Sequence, residues 1–512
     1  MSARGEPGTW RYLAFWEPGG DIDLPATLAE MPCDDMHAAG LLTAERPGWL
    51  HYAAIAGRWH VWDGRCHAPD PADLIGKTVA GWAERAEKAL DKARQSVGAI
   101  VSLDNPGAEG KDLKAAVAAE WKKWEPAERY AAGLRRSAGK ASLERYLATA
   151  CAVPDGELDE RNPELVSTAS GTVSLRTGQV RPHDPADMIT HCLPDAYVPG
   201  APCPRFLGVL HTVCGGKADV AWYLLKLLGY AMLGDNREQR VVFISGPTGN
   251  GKSTLLHVVS SVLGPLAHES QAALITVTRH GRNARTENSI RGARLITITE
   301  TSEWMHIEEA QLKRLTGERV ISVDQHYAKT ELRTPVTWLI VIATNQMPGL
   351  TNFDEALRRR IIVIPGGPSV PAHLVDTLLA DKILAEEREG VLALLIAAAR
   401  EYFRAGLGDV PLEVQVTTDG YAAEQDTVAQ FLADCCLLSP SLNGHVPPHV
   451  PMNGAWRGYC AWSQGGPRLG RNEFYTRLAS QAGVSRNDVS RRFEGITWDP
   501  QKATELGVWQ ET

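Results

Sequence analysis

Apolar and polar positions alternate along this chain in several distinct ways. In the first 70 residues, rich in Trp, Pro and Gly, Trp59-His60-Val61-Trp62-Asp63-Gly64 reads as a strand meeting a turn, so a small sheet-containing unit is expected. From Pro71 to about Val97, and again from Lys111 to Ala150, the Ala, Lys, Glu and Leu content favours helices, with Asp104-Asn105-Pro106-Gly107 as the break. Thr172 to Val180 alternates apolar residues around Thr177-Gly178, the pattern of a β-hairpin. Helical spacing resumes at Phe206 and runs through Trp222-Tyr223-Leu224-Leu225 to Leu233, where Gly234-Asp235-Asn236 stops it.

Beyond that point the pattern changes to short, wholly apolar runs between helical stretches: Val241 to Ile244, Leu295 to Ile298 and Trp338 to Ala343. Buried parallel strands separated by helices produce this alternation, so an α/β nucleotide-binding core is expected. A Pro/Gly loop from Pro365 to Pro371 closes it, helices follow to about Leu407, and a loop from Ser439 to Gly454 sets off a compact C-terminal module.

Length and composition narrow the picture. At 512 residues the chain exceeds one ordinary core, and 44% hydrophobic with 22% charged residues is the range of globular protein. A formal charge of −8 excludes coating of nucleic acid by bulk charge, so any such contact must be local. The nine cysteines form no CxxC pair, which argues for reduced thiols and against structural zinc. The start, Met1 to Gly8, has no apolar h-region, and runs such as Val391 to Ala399 fall far short of the roughly 20 residues a membrane helix needs. A cytoplasmic protein with no membrane partner is expected.

The sharpest motif is Gly246-Pro247-Thr248-Gly249-Asn250-Gly251-Lys252-Ser253, which satisfies GxxxxGK[ST] between an apolar strand and a helical stretch. Glycines let backbone N–H groups turn inward around the phosphates of ATP, and the helix N-terminus adds a favourable dipole. Lys252 would hold the phosphates and Ser253 would bind Mg2+, with Thr254 completing the cofactor-binding stretch. Catalysis also requires a carboxylate at a neighbouring strand end, and Glu300 after Leu295 to Thr299 fits, with Glu303 as its rival and a plain surface acid as the alternative. Asn345, ending the third strand, is a candidate phosphate sensor or a turn-forming Asn before Pro348. Arg358-Arg359-Arg360 precedes a further strand, Ile361 to Ile364, either as a solvated edge or as an arginine finger crossing a subunit boundary.

Together these pieces resemble superfamily 3 helicases, specifically the helicase portion of the phage/plasmid primase family, related to poxvirus primase-helicases. Compactness carries the resemblance, since Lys252 to Asn345 spans only 93 positions. Gln311-Leu312-Lys313-Arg314-Leu315-Thr316-Gly317 resembles the family's LKxLTG element. In the family the hairpin that follows, here Val320 to Thr334, grips DNA, which makes His326, Tyr327 and Lys329 candidate contacts. Upstream, Asn162-Pro163, Gly171-Thr172-Val173, Leu175 to Gly178, Cys203-Pro204 and Leu228-Gly229-Tyr230 follow the family's order. Tyr421, Glu424-Gln425-Asp426 and Phe431 resemble its linker. Gly317-Glu318-Arg319 departs from the usual Gly-Gly-Asp, Thr299 from Ser, and Arg358 from Trp, so the choice of finger falls to Arg360, then Arg359.

The resemblance implies an α/β P-loop NTPase core, AAA+-like, with a helical N-terminal domain and a C-terminal winged-helix-like module. The expected divisions are 1–115, of unreadable role; 116–236, mainly helical; 237–366, the ATPase core; 367–430, a helical linker; and 431–512, the last module. It further implies a ring, a homo-hexamer, hydrolysing ATP between subunits and moving on single-stranded and forked or origin duplex DNA. A replicative polymerase or separate primase is a further candidate partner, and the host cytoplasm the site of action if a phage encodes the chain. A primase-helicase, on the strength of Asp21-Ile22-Asp23, and a P-loop loader that does not unwind DNA are the alternatives.

Between Gly454 and Phe493 seven arginines face two acids, a local surplus of five. Asn472 to Ala482 reads as a helix with Phe474 and Leu478 on one face, and Gly483-Val484-Ser485 as a turn before a second helix from Arg486 to Phe493. Arg486, Asn487, Arg491 and Arg492 would then contact duplex, mostly at phosphate, unless the module only binds protein.

Overall fold

The computed structural model describes residues 33–508 except 46, 55–56, 71–72, 108, 155–156, 160, 277–286, 288, 300–306, 324–331, 351–353, 439–447 and 464–468. The chain divides into two compact units between Tyr197 and Val198, inside the stretch 116–236.

In the first unit α1 (Asp35–Glu45) precedes β1 (Leu50–Ala53), β2 (Arg58–Trp62) and β3 (His67–Pro69). The 31-residue α2 (Leu74–Asp104) ends at the Asn105 to Gly107 break, and α3 (Lys111–Trp121), α4 (Glu125–Leu134) and α5 (Ser137–Ala150) follow. With β4 (Ala152–Val153) the strands form a sheet in the order β3-β2-β1-β4. Val61, Val79, Trp82, Leu134, Leu143 and Leu147 pack its core. Further along α2, Ala86, Ala89, Leu90 and Ala93 make room for Trp121 and Trp124, whose rings stack 5.4 Å apart. The expected hairpin is the β6 (Gly171–Ser174) to β7 (Val180–Arg181) pair, extended by β5 (Leu165–Thr168).

The second unit begins with α6 (Pro204–Val213) and α7 (Ala218–Ala231). The sequence pattern predicts one continuous run here; the structure breaks it at Gly215 and Gly216, whose φ values of 64° and 82° no helix accommodates. Buried Glu387 accepts the backbone N–H groups of Arg205 (3.1 Å) and Phe206 (3.0 Å), answering the unpaired donors at the start of α6.

The centre of this unit is a five-stranded sheet. Its strands are β8 (Val241–Ser245), β9 (Ala267–Glu269), β10 (Leu295–Ile298), β13 (Leu339–Thr344) and β14 (Ile361–Pro365), all parallel, in the order β14-β8-β13-β10-β9. In order of appearance the strands lie fifth, first, fourth, third, second. Strands covered on both faces read as unbroken apolar runs, which is why β8, β10, β13 and β14 were predictable. Alternate residues Val241, Phe243, Ile296, Ile298, Ile340, Ile342, Ile361 and Val363 line one core with Leu312, Leu315, Trp338 and Tyr421.

Helix α8 (Lys252–Leu263) leaves β8 at its carboxyl end, and α9 (Glu309–Gly317) precedes an antiparallel pair, β11 (Val320–Val323) and β12 (Leu332–Pro335). A single helical turn, α10 (Glu355–Arg358), precedes β14. Then come α11 (Leu379–Glu386), α12 (Arg388–Ala405) and α13 (Leu412–Gln425). Gly229 of α7 lies so close to α12 that a Cβ there would sit 2.5 Å from the Ala399 nitrogen.

The last residues form their own core: α14 (Thr427–Cys435), β15 (Cys436–Leu438), β16 (His449–Pro451), α15 (Met452–Trp462) and α16 (Arg471–Ser480), then β17 (Ser485–Asn487), β18 (Arg492–Glu494), β19 (Ile496–Trp498) and α17 (Pro500–Glu505). Phe431, Tyr459 and Phe474 anchor it, with Tyr459 and Phe474 stacked 4.5 Å apart. Phe474 and Leu478 are buried on one face of α16, as expected. The second helix, Arg486 to Phe493, is not formed: β17 and β18 pair antiparallel there, in a sheet of order β16-β18-β17. The Asn487 side chain accepts the Ser490 N–H (3.1 Å), Arg491 takes a φ of 53°, and Phe493 pairs opposite both Val450 and Arg486. A turn-forming Asn with a local acceptor outcompetes a helix that would have had almost no apolar face to bury. Among the described residues no helix is long and apolar enough to cross a membrane.

Candidate functional site

In a parallel sheet every strand delivers its following loop to the same edge, and here the chemistry gathers at the carboxyl edge. Ser245 of β8 lies opposite Thr344 of β13, and Ile298 of β10 opposite Ile342, so Gly246, Asn345 and Thr299 leave the sheet side by side. They border a cavity of about 640 Å3 lined by Thr248, Gly249, Asn250, Gly251, Lys252, Ser253, Thr254, Thr299, Ala343 and Asn345.

The loop from Gly246 to Gly251 takes a path that side chains would block. Gly249 and Gly251 have φ values of 79° and 94°, and a Cβ on Gly246 would sit 3.0 Å from the Gly366 Cα. Lys252 opens α8 and is 5% exposed, with its ammonium turned back into the loop. It donates to the carbonyls of Gly246 (2.7 Å) and Pro247 (2.9 Å) and to the side-chain oxygens of Asn250 (3.0 Å) and Asn345 (3.2 Å). Burial lowers the Lys252 pKa, because an ammonium is less well solvated there than in water. Four neutral acceptors answer the charge without cancelling it, so the site keeps a positive centre at the start of a helix, where an anion is favoured.

Asn250 is 1% exposed; besides Lys252 it reaches the Gly367 carbonyl (3.3 Å). Asn345 is exposed except for its bond to Lys252. Ser253 and Thr254 line the cavity in the first turn of α8. Glu300 and its rival Glu303 lie outside the described residues, as do His326, Tyr327 and Lys329 between β11 and β12, and Asp21 and Asp23 near the start. Thr299, immediately before Glu300, lines the cavity and donates to Glu269 (3.0 Å).

The arginines lie elsewhere. Ile361 of β14 is level with Val241, the first residue of β8, and Pro365 with Ser245, so Arg358 to Arg360 precede the amino edge of the sheet while the glycine loop leaves its carboxyl edge. Five strand residues, roughly 16 Å, separate the two levels. Arg360, the preferred finger, is 7% exposed: its guanidinium donates to the Ala356 carbonyl and packs under Gly317, where a Cβ would come within 2.5 Å of it. Burial, and then the neighbouring Arg359 charge, lower its pKa. In this conformation the Arg360 side chain is held inside its own fold, whereas a finger has to project towards another subunit. Arg358 is exposed and pairs with Asp419 (3.4 Å), and Arg359 is exposed.

In the last module Arg486 pairs with Asp488 (2.7 Å) and Arg492 with Glu494 (3.2 Å), and Asn487 donates to Glu494 (2.9 Å). The candidate duplex contacts therefore stand on a hairpin rather than a helix, and Arg486 and Arg492 are each matched by an acid. Arg491 is exposed at its turn.

One contributor to the site escaped the sequence analysis. The Pro365 to Pro371 loop, anticipated only as a boundary, wraps the glycine loop from outside through Ser369 and Val370. The sole hint was Gly366-Gly367 beside a strand end.

Comparison with known proteins gives two family matches: residues 41–215 to a family described as D5 N terminal like, and residues 243–360 to a Family of unknown function (DUF5906). Among curated proteins, "Putative helicase L207/L206" of Acanthamoeba polyphaga mimivirus is 25% identical over 300 residues, 54% of this chain and 31% of that protein. "Uncharacterized mitochondrial protein ymf21" of Marchantia polymorpha is 37% identical over 71 residues, 14% of this chain and 39% of that one. The chain thus spans less than two fifths of the length of either relative. Among solved structures, the apo C-terminal region of NrS-1 superposes with a TM-score of 0.37 at 12% identity, covering 59% of this chain and 77% of that one.

Proposed function

We propose that this chain, a member of the phage and viral primase-helicase family, is a superfamily 3 helicase that binds ATP in the Gly246 to Ser253 loop and uses its hydrolysis to separate DNA strands. The observation that carries this reading is the convergence of a buried lysine, a glycine loop closed to side chains and an exposed amide on one cavity at the carboxyl edge of a parallel sheet. The mimivirus relative's name, a putative helicase, supports the strand-separating role, and the strand order supports an AAA+-like motor.

The residues fit a triphosphate with its metal. Lys252 exchanges its carbonyl partners for phosphate oxygens, a stronger charge-assisted bond. The Ser253 hydroxyl would be the protein ligand for Mg2+, and Glu300 the carboxylate that orients the attacking water; the bound metal would supply neutralisation of charge developing on the phosphates. Asn345, released when Lys252 turns to phosphate, is the amide that senses the γ-group. Arg359 reaches the nucleotide of a neighbouring copy, since its own loop lies at the other edge of the sheet; that division of labour requires head-to-tail contacts, which form a ring where the rotation closes. DNA engages the β11 to β12 hairpin through His326, Tyr327 and Lys329, and the last module through Arg491 with Arg486, Asn487 and Arg492.

Strand separation on a forked duplex, with the purified chain, ATP and Mg2+, tests the reading. Unwinding that stops without ATP is expected. ATP hydrolysis without unwinding would replace the motor with a loader, and ribonucleotide incorporation on a single strand would add primase chemistry.

A further inference from the structure

Residues 366–370 touch the nucleotide loop at almost every position. The Gly366 N–H donates to the Ser245 carbonyl (2.5 Å), that of Gly367 to Val213 (2.8 Å) and that of Val370 to Gly249 (2.9 Å). The Ser369 hydroxyl donates to the Thr248 carbonyl (2.7 Å), and Asn250 reaches back to the Gly367 carbonyl (3.3 Å). Nothing larger than glycine fits at the crossing: a Cβ on Gly366 would stand 2.5 Å from the Ser245 carbonyl, and one on Gly367 would collide with the Thr212 carbonyl at the end of α6.

These bonds fix peptide orientation. In a trans peptide the C=O and the next N–H point opposite ways, and the described residues contain no cis bond. With the Thr248 and Gly249 carbonyls held from outside by Ser369 and Val370, the N–H groups of Gly249 and Asn250 must point away from the strap. The cavity lies on that side, lined by Thr248 to Thr254 without a strap residue. Glycine peptides flip at little steric cost, so a loop with Gly249 and Gly251 needs such an outside restraint to present donors rather than carbonyls to an anion.

We propose that Gly366 to Val370 is a strap that orients the peptides of the nucleotide loop, with Ser369, Val370 and Asn250 as positioning residues, and that it ties the loop to the end of α6 through Gly367. The inference deepens the ATP-binding reading and rests on it for its consequence, but the strap's hold on the loop can be measured without nucleotide.

The test is amide hydrogen exchange of the full chain without nucleotide, together with titration by ribose-labelled fluorescent ADP, on wild type, Ser369→Ala, Ser369→Thr and Gly367→Ala. Expected are faster exchange confined to residues 246–251 and 370 in Ser369→Ala, and binding weaker by about fivefold, the worth of one ordinary hydrogen bond. Ser369→Thr, which keeps the hydroxyl, should bind as wild type does. Gly367→Ala should lose at least about tenfold, because the strap must move off the backbone it crosses; if it does not fold, exposed Ser369 decides alone. Unchanged exchange and binding in Ser369→Ala, or loosening spread over the whole unit, overturns the strap. Wild type that fails to bind the labelled ADP, yet shows the local change in exchange, overturns the nucleotide reading and leaves the strap's hold on the loop standing.

Discussion

Lys252 illustrates how much of this site is decided by single side chains. Its ammonium is satisfied by four neutral oxygens, so its removal leaves acceptors that water can reach rather than an unpaired buried charge. Lys252→Ala should therefore fold and assemble normally while hydrolysis falls by a factor on the order of 10^2 or more, measured by phosphate release beside a sedimentation profile. The two arginines should separate just as cleanly. Arg359→Ala should keep its thermal stability and lose hydrolysis by about 10^3-fold, the usual worth of an arginine finger. Arg360→Ala removes a buried guanidinium bonded to Ala356 and packed under Gly317, so it should cost about 1–3 kcal/mol of stability, visible as a lower denaturation midpoint. At this scale the phosphate loop was legible because its motif is local in sequence. The burial of Arg360 was not, because consecutive arginines look alike until α10 and β14 turn one of them inward.

At the scale of elements, β1 to β3 carry a titratable core. His67 is fully buried with its ring 4.5 Å from that of His51, and its Nε2 lies 2.8 Å from the Pro185 carbonyl, which requires a proton on that nitrogen and leaves Nδ1 buried without a partner. Burial depresses the pKa values of His51, His60 and His67, the last to about 4. The unfolded chain, with an ordinary histidine pKa near 6.5, then binds more protons than the folded one below that pH. Stability is therefore complete above about pH 6.5 and falls as the pH drops towards 4, with His67 alone contributing about 3 kcal/mol over that window. Denaturant titrations of wild type and His67→Phe at pH 7.5 and 5 check this: the wild type should lose stability at pH 5 and the variant less. In the last module Gly458 abuts the Trp498 ring, so Gly458→Ala should cost about 1–3 kcal/mol by overpacking.

Legibility among elements followed burial. Strands β8, β10, β13 and β14 announce themselves as apolar runs, whereas β9 has only three residues, Ala267–Glu269, none fully buried. Val489 and Phe493, four apart, imitate a helical face; in the structure Val489 is 98% exposed and Phe493 fully buried, the signature of a hairpin tip and its root. The strap left no periodic signal, since its bonds to the loop are mostly from backbone.

For the molecule as a whole, the partition of the site across the sheet makes a prediction about assembly. The glycine loop and Arg359 belong to opposite edges, so under the proposed function each copy would take its arginine from a neighbour. Mixing Lys252→Ala with Arg359→Ala should restore part of the lost hydrolysis, because some interfaces then pair an intact loop with an intact arginine. No recovery would place Arg359 in a structural role. The division of the chain at Tyr197 has a compositional trace in the sequence, since Pro194, Pro199, Gly200, Pro202 and Pro204 crowd the stretch between the hairpin and the helix that resumes at Phe206, but such a stretch reads equally as an ordinary loop inside one domain.

The central claim, that the Gly246 to Ser253 loop is an ATP site built on Lys252, is tested most directly by calorimetric titration of wild type and Lys252→Ala with the slowly hydrolysed analogue ATPγS and Mg2+. One analogue bound per chain, weakened by about 100-fold or more in the variant, is the predicted result. Equal affinity in the two proteins, or no binding by the wild type, would contradict it.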